Sequence, residues 1–306
     1  MVFVEERKRG KHKYFYLVRT FRENGKVKKK SIFLGTDLNK TLLDKAVSNA
    51  KVELGEIDFD AVLGEKEIKE LDELKNKLNE KISKIEPNNF YEHFLTEFTY
   101  DSNAIEGSSL TLQETAFVLF EGISPKSKPM KHIQEAKNHK DAFDYTRSLK
   151  QKKLSKDIIC EIQQKVVKDT LPLHLKQFEG DLRGVNVRVG NHIAPPFYSV
   201  PGKLTALLKW FNKNQNKLPP VVVTAYFHSE FENIHPFVDG NGRTGRLLMN
   251  FMLKNSDYPP ITIFFKYRLE YYAALEKANK KKDLKPLIKI IKKCYADMLR
   301  IYTPLG

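Results

Sequence analysis

The chain has 306 residues, enough for one large domain and a smaller one, or for two domains, each able to bury a real core. Its 53 Lys and Arg against 38 Asp and Glu leave a formal charge of +15, which suits acidic partners such as nucleic acid or nucleotides and also serves as plain solubilising charge. No apolar run approaches the roughly 20 residues that span a bilayer. The start "MVFVEERKRG" lacks the basic-then-apolar order of a signal peptide, and Cys160 and Cys294 are too few for a disulfide framework or a thiolate zinc site. The expectation is a globular, cytoplasmic protein with no membrane partner.

Over residues 1–36, aromatic and β-branched residues alternate on both sides of "ENGK", and Asn24-Gly25 is a strong hairpin signal. A small β-hairpin or three-stranded sheet is predicted, in a basic module spanning 1–40. Residues 1–36 hold 11 Lys and Arg against 3 Glu, more than half of the net charge. Tyr14, Phe15, Tyr16 and Phe21 interleave with these cations, which suits weak nucleic acid contact through phosphates; the preferred alternative is a charged, edge-protected hairpin docked on the main domain. From about residue 40 the period becomes helical. Residues 41–87 read as a helical linker whose amphipathic part repeats Ile68, Leu71, Leu74, Leu78, Ile82 and Ile85 at spacings of three and four, until Pro87 ends the run. The main domain is assigned to 88–306, with helices predicted at 88–104, 111–121, 131–149, 155–168, 203–216, 220–234, 244–255, 267–279 and 284–301. One insert, "GVNVRVGNHIAPPFYSVP" at 184–201, reads as an alternating strand, a Gly-Asn turn and a proline-bounded return. The fold class expected is mainly α, with one projecting β-hairpin and a small N-terminal β module.

The segment "HPFVDGNGRTGRLLMN", 235–250, contains a formal G-x-G-x-x-G at Gly240, Gly242 and Gly245. A dinucleotide fingerprint has to follow a strand, because its glycines turn the chain from a sheet edge into the helix that meets the pyrophosphate. Here the preceding "PPVVVTAYFHSEFENI" places Val223, Phe227, Phe231 and Ile234 at helical spacing behind Pro220, a good first-turn residue, so the arrangement is helix–loop–helix. No G-K-[ST] closes the glycine run, which removes a P-loop as well. A short loop opening a helix still handles phosphate, because the helix N-terminus offers N–H groups and partial positive charge, and Gly240 and Gly242 allow close approach. Arg243 and Arg246, three apart, can fork onto phosphate oxygens. Asp239 is the kind of single carboxylate with which Mg²⁺ is held beside nucleotide phosphates, and His235 is placed to accept a proton from a hydroxyl.

"HPFVDGNGR" resembles at every position the Fic family signature H-P-F-x-[DE]-G-N-[GK]-R, and Arg246 stands where the family has a second arginine. The likeness extends over residues 88–300. It implies a helical protein that transfers AMP from ATP to a protein hydroxyl (AMPylation) with Mg²⁺ or Mn²⁺. His235 would take the proton of a Ser, Thr or Tyr, Asp239 position the metal, Gly240 to Gly242 and the Asn241 side chain hold phosphates, and Arg243 and Arg246 neutralise the leaving side. "SNAIEG", Ser102 to Gly107, is similar to the family's inhibitory motif, on a helix over 96–107; by analogy Glu106 pairs with Arg243 and withholds it from the γ-phosphate. The 184–201 hairpin corresponds to the family's flap, on which a target protein docks by strand addition, with Val189 and His192 near the nucleotide. "YYAALEKANKKKDLKPLIKII" is similar to the segment whose tyrosine and asparagine contact adenosine, here Tyr272 and Asn279. Gly242 in place of a lysine favours nucleotidyl over phosphate transfer. The resemblance leaves open the reverse reaction, with Glu106 aligning a water, and a nucleotide-sensing regulator that binds nucleic acid through the N-terminal module. Self-modification and a homodimer stay open as well.

Overall fold

The computed structural model describes residues 2–23, 26–53, 59, 62–149, 152–190 and 192–302. The chain divides into two compact units, Met1–Gly64 with Lys280–Asp283, and Glu65–Asn279 with Leu284–Gly306. No helix is long and apolar enough to cross a membrane among the described residues.

The small unit is a three-stranded antiparallel sheet of β1 (Val2–Arg9), β2 (His12–Glu23) and β3 (Lys26–Thr36), in that order, followed by α1 (Lys40–Glu53). Past a register irregularity at Phe15/Tyr16, alternation along β2 sends Leu17 to one face, opposite Val4 and Ile32, and Tyr16 to the other, opposite Glu5 and Phe33. Leu17 and Ala50 of α1 form the unit's core with Val2, Ile32, Leu34 and Val47. On the other face Phe33 lies 5.3 Å from Tyr16 and 6.4 Å from Tyr14, ring to ring, with the Arg7 guanidinium 4.4 Å over Tyr16. The chain therefore forms the three-stranded alternative. Asn24 and Gly25 lie outside the described residues.

The large unit is helical: α2 (Glu65–Ile82), α3 (Pro87–Ile105), α4 (Leu112–Ala116) running into a π-helical turn (Phe117–Glu121), α5 (Met130–Ser148), α6 (Lys156–Val167), α7 (Val200–Asn214), α8 (Pro220–Ile234), α9 (Asn241–Lys254), α10 (Arg268–Lys281) and α11 (Lys285–Ile301). The α2 stripe buries Leu71 and Leu78 and packs on α11. The unit boundary thus falls between 64 and 65 rather than at 40 and 87, because α1 packs with the sheet while the apolar stripe of α2 is needed in the helical core. Pro87 does not end α2; it opens α3 at the first turn, where its missing N–H costs nothing, and the Glu86 side chain caps that turn by accepting from Asn89 N–H at 2.9 Å. Ten of the 15 residues of α8 and 12 of the 14 of α9 are buried, so these two helices form the centre of the unit rather than a surface stripe. Phe227, Phe231 and Phe237 are fully enclosed there, each worth roughly 1.5–3 kcal/mol of burial.

Candidate active site

α8 ends at His235, whose backbone is left-handed (φ 49°) and whose N–H bonds Phe231 O at 2.9 Å. The chain then crosses a short loop into α9. Asn241 clamps that loop: its Oδ1 accepts from Phe237 N–H and its Nδ2 donates to Phe237 O, both at 2.9 Å. Both ends of the Asn241 amide are thus engaged by the backbone of the six-residue loop between the two helix ends. Asp239 Oδ1 accepts from Gly240 N–H at 2.6 Å, and Asp239 O accepts from Gln163 Nε2 at 3.1 Å. Gly240 is required twice, by φ 79° and because a Cβ would stand 2.7 Å from Val167 Cγ1. α9 begins at Asn241, three residues before the expected start, so Gly242 belongs to its first turn; no side chain caps it. The first-turn dipoles thus face the loop without a side-chain acceptor.

The two arginines diverge. Residues three apart on a helix point about 60° apart, enough to send them to different neighbours. Arg243 meets α5, with Nη1 2.9 Å from Glu135 Oε1, and its Nη2 donates to Asp239 Oδ1 at 3.3 Å. Arg246 meets α3: Nε donates to Ser102 Oγ at 2.9 Å, and Nη2 to Ser102 O and Glu106 Oε1, each at 2.8 Å. The carboxylate of Glu106 thus pairs with Arg246 and not with Arg243, correcting the pairing expected by analogy. It also lies on the first turn of α9, where a Cβ at Gly242 would collide with Glu106 Oε1. Gly107, at φ 99°, ends α3 just beyond it.

Burial sets the protonation states around this cluster. Burial, the largest influence, opposes the Arg246 charge, but the Glu106 carboxylate together with Tyr271 and Glu232 more than offsets it and holds Arg246 above the ordinary arginine value. His228, on whose Nε2 the Tyr271 hydroxyl sits at 2.6 Å, is driven down to about 3 by burial and by Arg246, and His139 is likewise pushed well below its usual range. Both imidazoles are neutral. Burial raises Glu232 to about 8 against the pull of Arg246. The unfolded chain sheds the Glu232 proton near the ordinary glutamate value of 4.5 while the folded chain keeps it to about 8, so folding loses stability as pH rises across that window. Glu232→Gln should remove that slope, read as a flatter melting temperature between about pH 5 and about pH 8 for the variant than for the parent.

The remaining expected residues are placed as follows. The hairpin is short: β4 (Arg188–Val189) pairs with β5 (His192–Ile193) around Gly190 at φ 55°, and a 3₁₀ turn at Phe197–Ser199 leads into α7 at Val200. The side chains of Val189 and His192, and Asn191 itself, lie outside the described portion. Tyr272 and Asn279 stand about two turns apart on α10. The Tyr272 hydroxyl donates to Ile105 O at 3.1 Å, and Asn279 Oδ1 is buried with no partner among the described residues. Arg243 Nε is another of the buried atoms without a hydrogen bond there. These orphaned atoms, with the two glycines of the uncapped turn, fit a nucleotide. Among the described residues no group of three or more His, Cys, Asp or Glu is arranged for a metal ion. A cation here would have Asp239 and the bound phosphates as its holders, which fits Mg²⁺ chemistry.

Four residues escaped the sequence reading. Glu135 and Glu232 carry no local mark. Gln163 did carry one, a polar residue amid the apolar face Ile159, Ile162, Val166 of α6; its Oε1 accepts from Gly180 N–H at 2.8 Å while its amide holds Asp239 O. Arg183 is the fourth.

Residues 153–253 match the Fic/DOC family. The chain is 33% identical over 259 residues to "Protein adenylyltransferase Fic" of Drosophila mojavensis, covering 80% of this chain and 49% of that protein. It is 32% identical over 217 residues to the protein of the same name from Nematostella vectensis, covering 68% and 50%. The chain therefore spans about half the length of the curated relatives it matches. Its fold is similar to that of Fic-1 from C. elegans, with a TM-score of 0.67 at 24% identity over 86% of this chain and 75% of the other. With the helix–loop–helix of residues 220–254 falling almost wholly inside the matched segment, the chain belongs to the Fic family.

Proposed function

We propose that this chain is a protein adenylyltransferase restrained by its own Glu106. The observation that carries the reading is one juxtaposition: a histidine at a helix end, an uncapped helix start with two glycines, and two buried arginines, with a carboxylate standing where an anion belongs. The relatives' name agrees with it. An acceptor hydroxyl attacks the α-phosphorus of ATP in line with the oxygen that bridges to the β-phosphate. That bond breaks, pyrophosphate leaves, and the proton passes to His235. The first-turn N–H groups of α9, Arg243 and Arg246 bind the phosphates. Asp239 would hold Mg²⁺ (or Mn²⁺), which would supply neutralisation of the phosphate charge. The unpartnered Asn279 Oδ1 suits the exocyclic amino group of adenine, and the half-exposed Tyr272 ring its face. The acceptor is a Ser, Thr or Tyr of a protein laid along the hairpin, the chain's own hydroxyls included; Ile193 there is 75% exposed.

The test is to incubate Glu106→Gly with ATP labelled at either end. Label reaching protein from the α-phosphate and none from the γ-phosphate is expected. The opposite pattern replaces the reading with kinase chemistry, and nucleotide binding without any labelled protein replaces it with nucleotide sensing. If Glu106→Gly instead loses hydrolytic release of AMP from modified protein, the reverse reaction takes its place.

A second partner is favoured by the sheet face that carries Tyr14, Tyr16, Phe33 and Arg7 among the N-terminal cations. Nucleic acid affinity of the full chain is expected to be weak, phosphate-based and steeply reduced by salt in a gel-shift series. Tight, salt-insensitive or sequence-specific binding contradicts this.

A further inference from the structure

Arg183 precedes the hairpin and is 2% exposed. No carboxylate lies within 4.0 Å of it among the described residues, and burial lowers its pKa with no anion opposing. Its donors go to backbone carbonyls instead. Nε donates to His235 O at 2.8 Å, Nη1 to Val185 O at 2.8 Å, and Nη2 to Pro195 O at 2.5 Å and more weakly to Ile234 O at 3.4 Å. Its own N–H donates to Pro236 O at 2.9 Å. These carbonyls belong to two separate pieces. Val185 and Pro195 are the entering and leaving ends of the hairpin, and Ile234 to Pro236 are the end of α8 and the left-handed turn that presents the imidazole. The negative end of the α8 dipole and the four carbonyls replace a counter-ion. Because the guanidinium is planar and rigid, a shift of the hairpin base is transmitted to the His235 carbonyl through a single group.

We propose that Arg183 is a positioning residue that fixes the hairpin relative to His235, so that an acceptor strand added to the hairpin brings its hydroxyl to the imidazole. This rests on the adenylyl-transfer reading, with the nucleotide held by other residues. A water molecule, which needs no hairpin, still reaches the α-phosphorus and yields free AMP, pyrophosphate and a proton on His235. Lysine keeps the charge but concentrates its donors at one point and cannot hold both pieces in register.

The experiment compares Glu106→Gly with the double variants that add Arg183→Lys or Arg183→Gln, using α-labelled ATP and the chain's own hydroxyls as acceptor. Label on protein and label released as AMP are counted in one reaction. Affinity for a non-hydrolysable ATP analogue and amide hydrogen exchange are measured in parallel. Expected for Arg183→Lys are a melting temperature near the parent's, analogue affinity within about 3-fold, and a ratio of protein-bound to free AMP reduced by about 10²-fold, the effect of roughly 1 Å of misplacement. Exchange accelerates together at 184–196 and 235–237 in both double variants. An unchanged ratio in folded Arg183→Lys, or a fall in analogue affinity parallel to the loss of labelling, overturns the proposal. If no variant forms labelled protein or AMP, the adenylyl-transfer reading fails, and exchange alone decides the tie: joint acceleration upholds it, and unchanged exchange at the hairpin ends it.

Discussion

Glu106→Gly is expected to raise AMP transfer by about 10²-fold, a size set by relief of roughly 1 Å of phosphate misplacement. The carboxylate does two things in the resting protein. It occupies Arg246 through a 2.8 Å charge-assisted pair, and it lies over the first turn of α9, in the space left by the missing side chain of Gly242. A nucleotide arriving there meets a negative charge in the place of its phosphate and an arginine already engaged. Removing the carboxylate frees both, while the two bonds from Arg246 to Ser102 keep the guanidinium in place. Adding Arg246→Ala should cancel the gain, whereas Arg243, whose partners are Glu135 and Asp239, is not what the substitution frees. Labelling rates at saturating ATP check this, together with thermal shifts on an ATP analogue, which should be larger for Glu106→Gly than for the parent because the phosphates take over the vacated pairing. Equal rates and equal shifts would sink the inhibitory assignment.

His235→Ala is expected to lower transfer by about 10²–10⁴-fold, the usual contribution of a positioned general base, with nucleotide affinity changed only a few fold. In the proposed mechanism the imidazole acts on the hydroxyl, and the substitution leaves the groups assigned to the phosphates unaltered. His235 sits in the left-handed region at φ 49°, a conformation that alanine adopts at a cost of about 1–2 kcal/mol. His235→Asn tolerates that backbone and has no base of the same strength. Both variants should show a loss of that size, and the asparagine variant should keep the parental melting temperature. If His235→Asn transfers AMP at the parental rate, His235 is not the base.

The loop of the candidate site was legible in the chain because its chemistry is local. Nine consecutive residues carry the histidine, the carboxylate, the glycines and an arginine, and the helical spacing before Pro236 separates them from a dinucleotide fold. The helices were legible for the same reason, through apolar spacing. What could not be read is which way neighbouring side chains of one helix turn. Arg243 and Arg246 differ by 60° of rotation, and whether α3 or α5 stands opposite each is a matter of packing between segments more than 100 residues apart. The bonds of Asn241 could not be read for a related reason: its amide is suited equally to a phosphate and to the Phe237 backbone, and here it holds the backbone. Arg183 left no trace at all, since its partners are carbonyl groups, which every residue has.

The place of Glu106 at the very end of α3 bears on how the proposed restraint would be released. Its backbone (φ −86°, ψ 0°) has already left the regular helix, and the next residue turns the other way. Helix ends open at little cost, well below the free energy of unfolding the whole. If the closed form outweighs the open one by about 100 to 1, the gap between them is only about 2.7 kcal/mol. A gap of that size lies within reach of a modest contact that prefers the frayed end, so output would follow partner concentration as a dimmer does, without any helix in the core having to move.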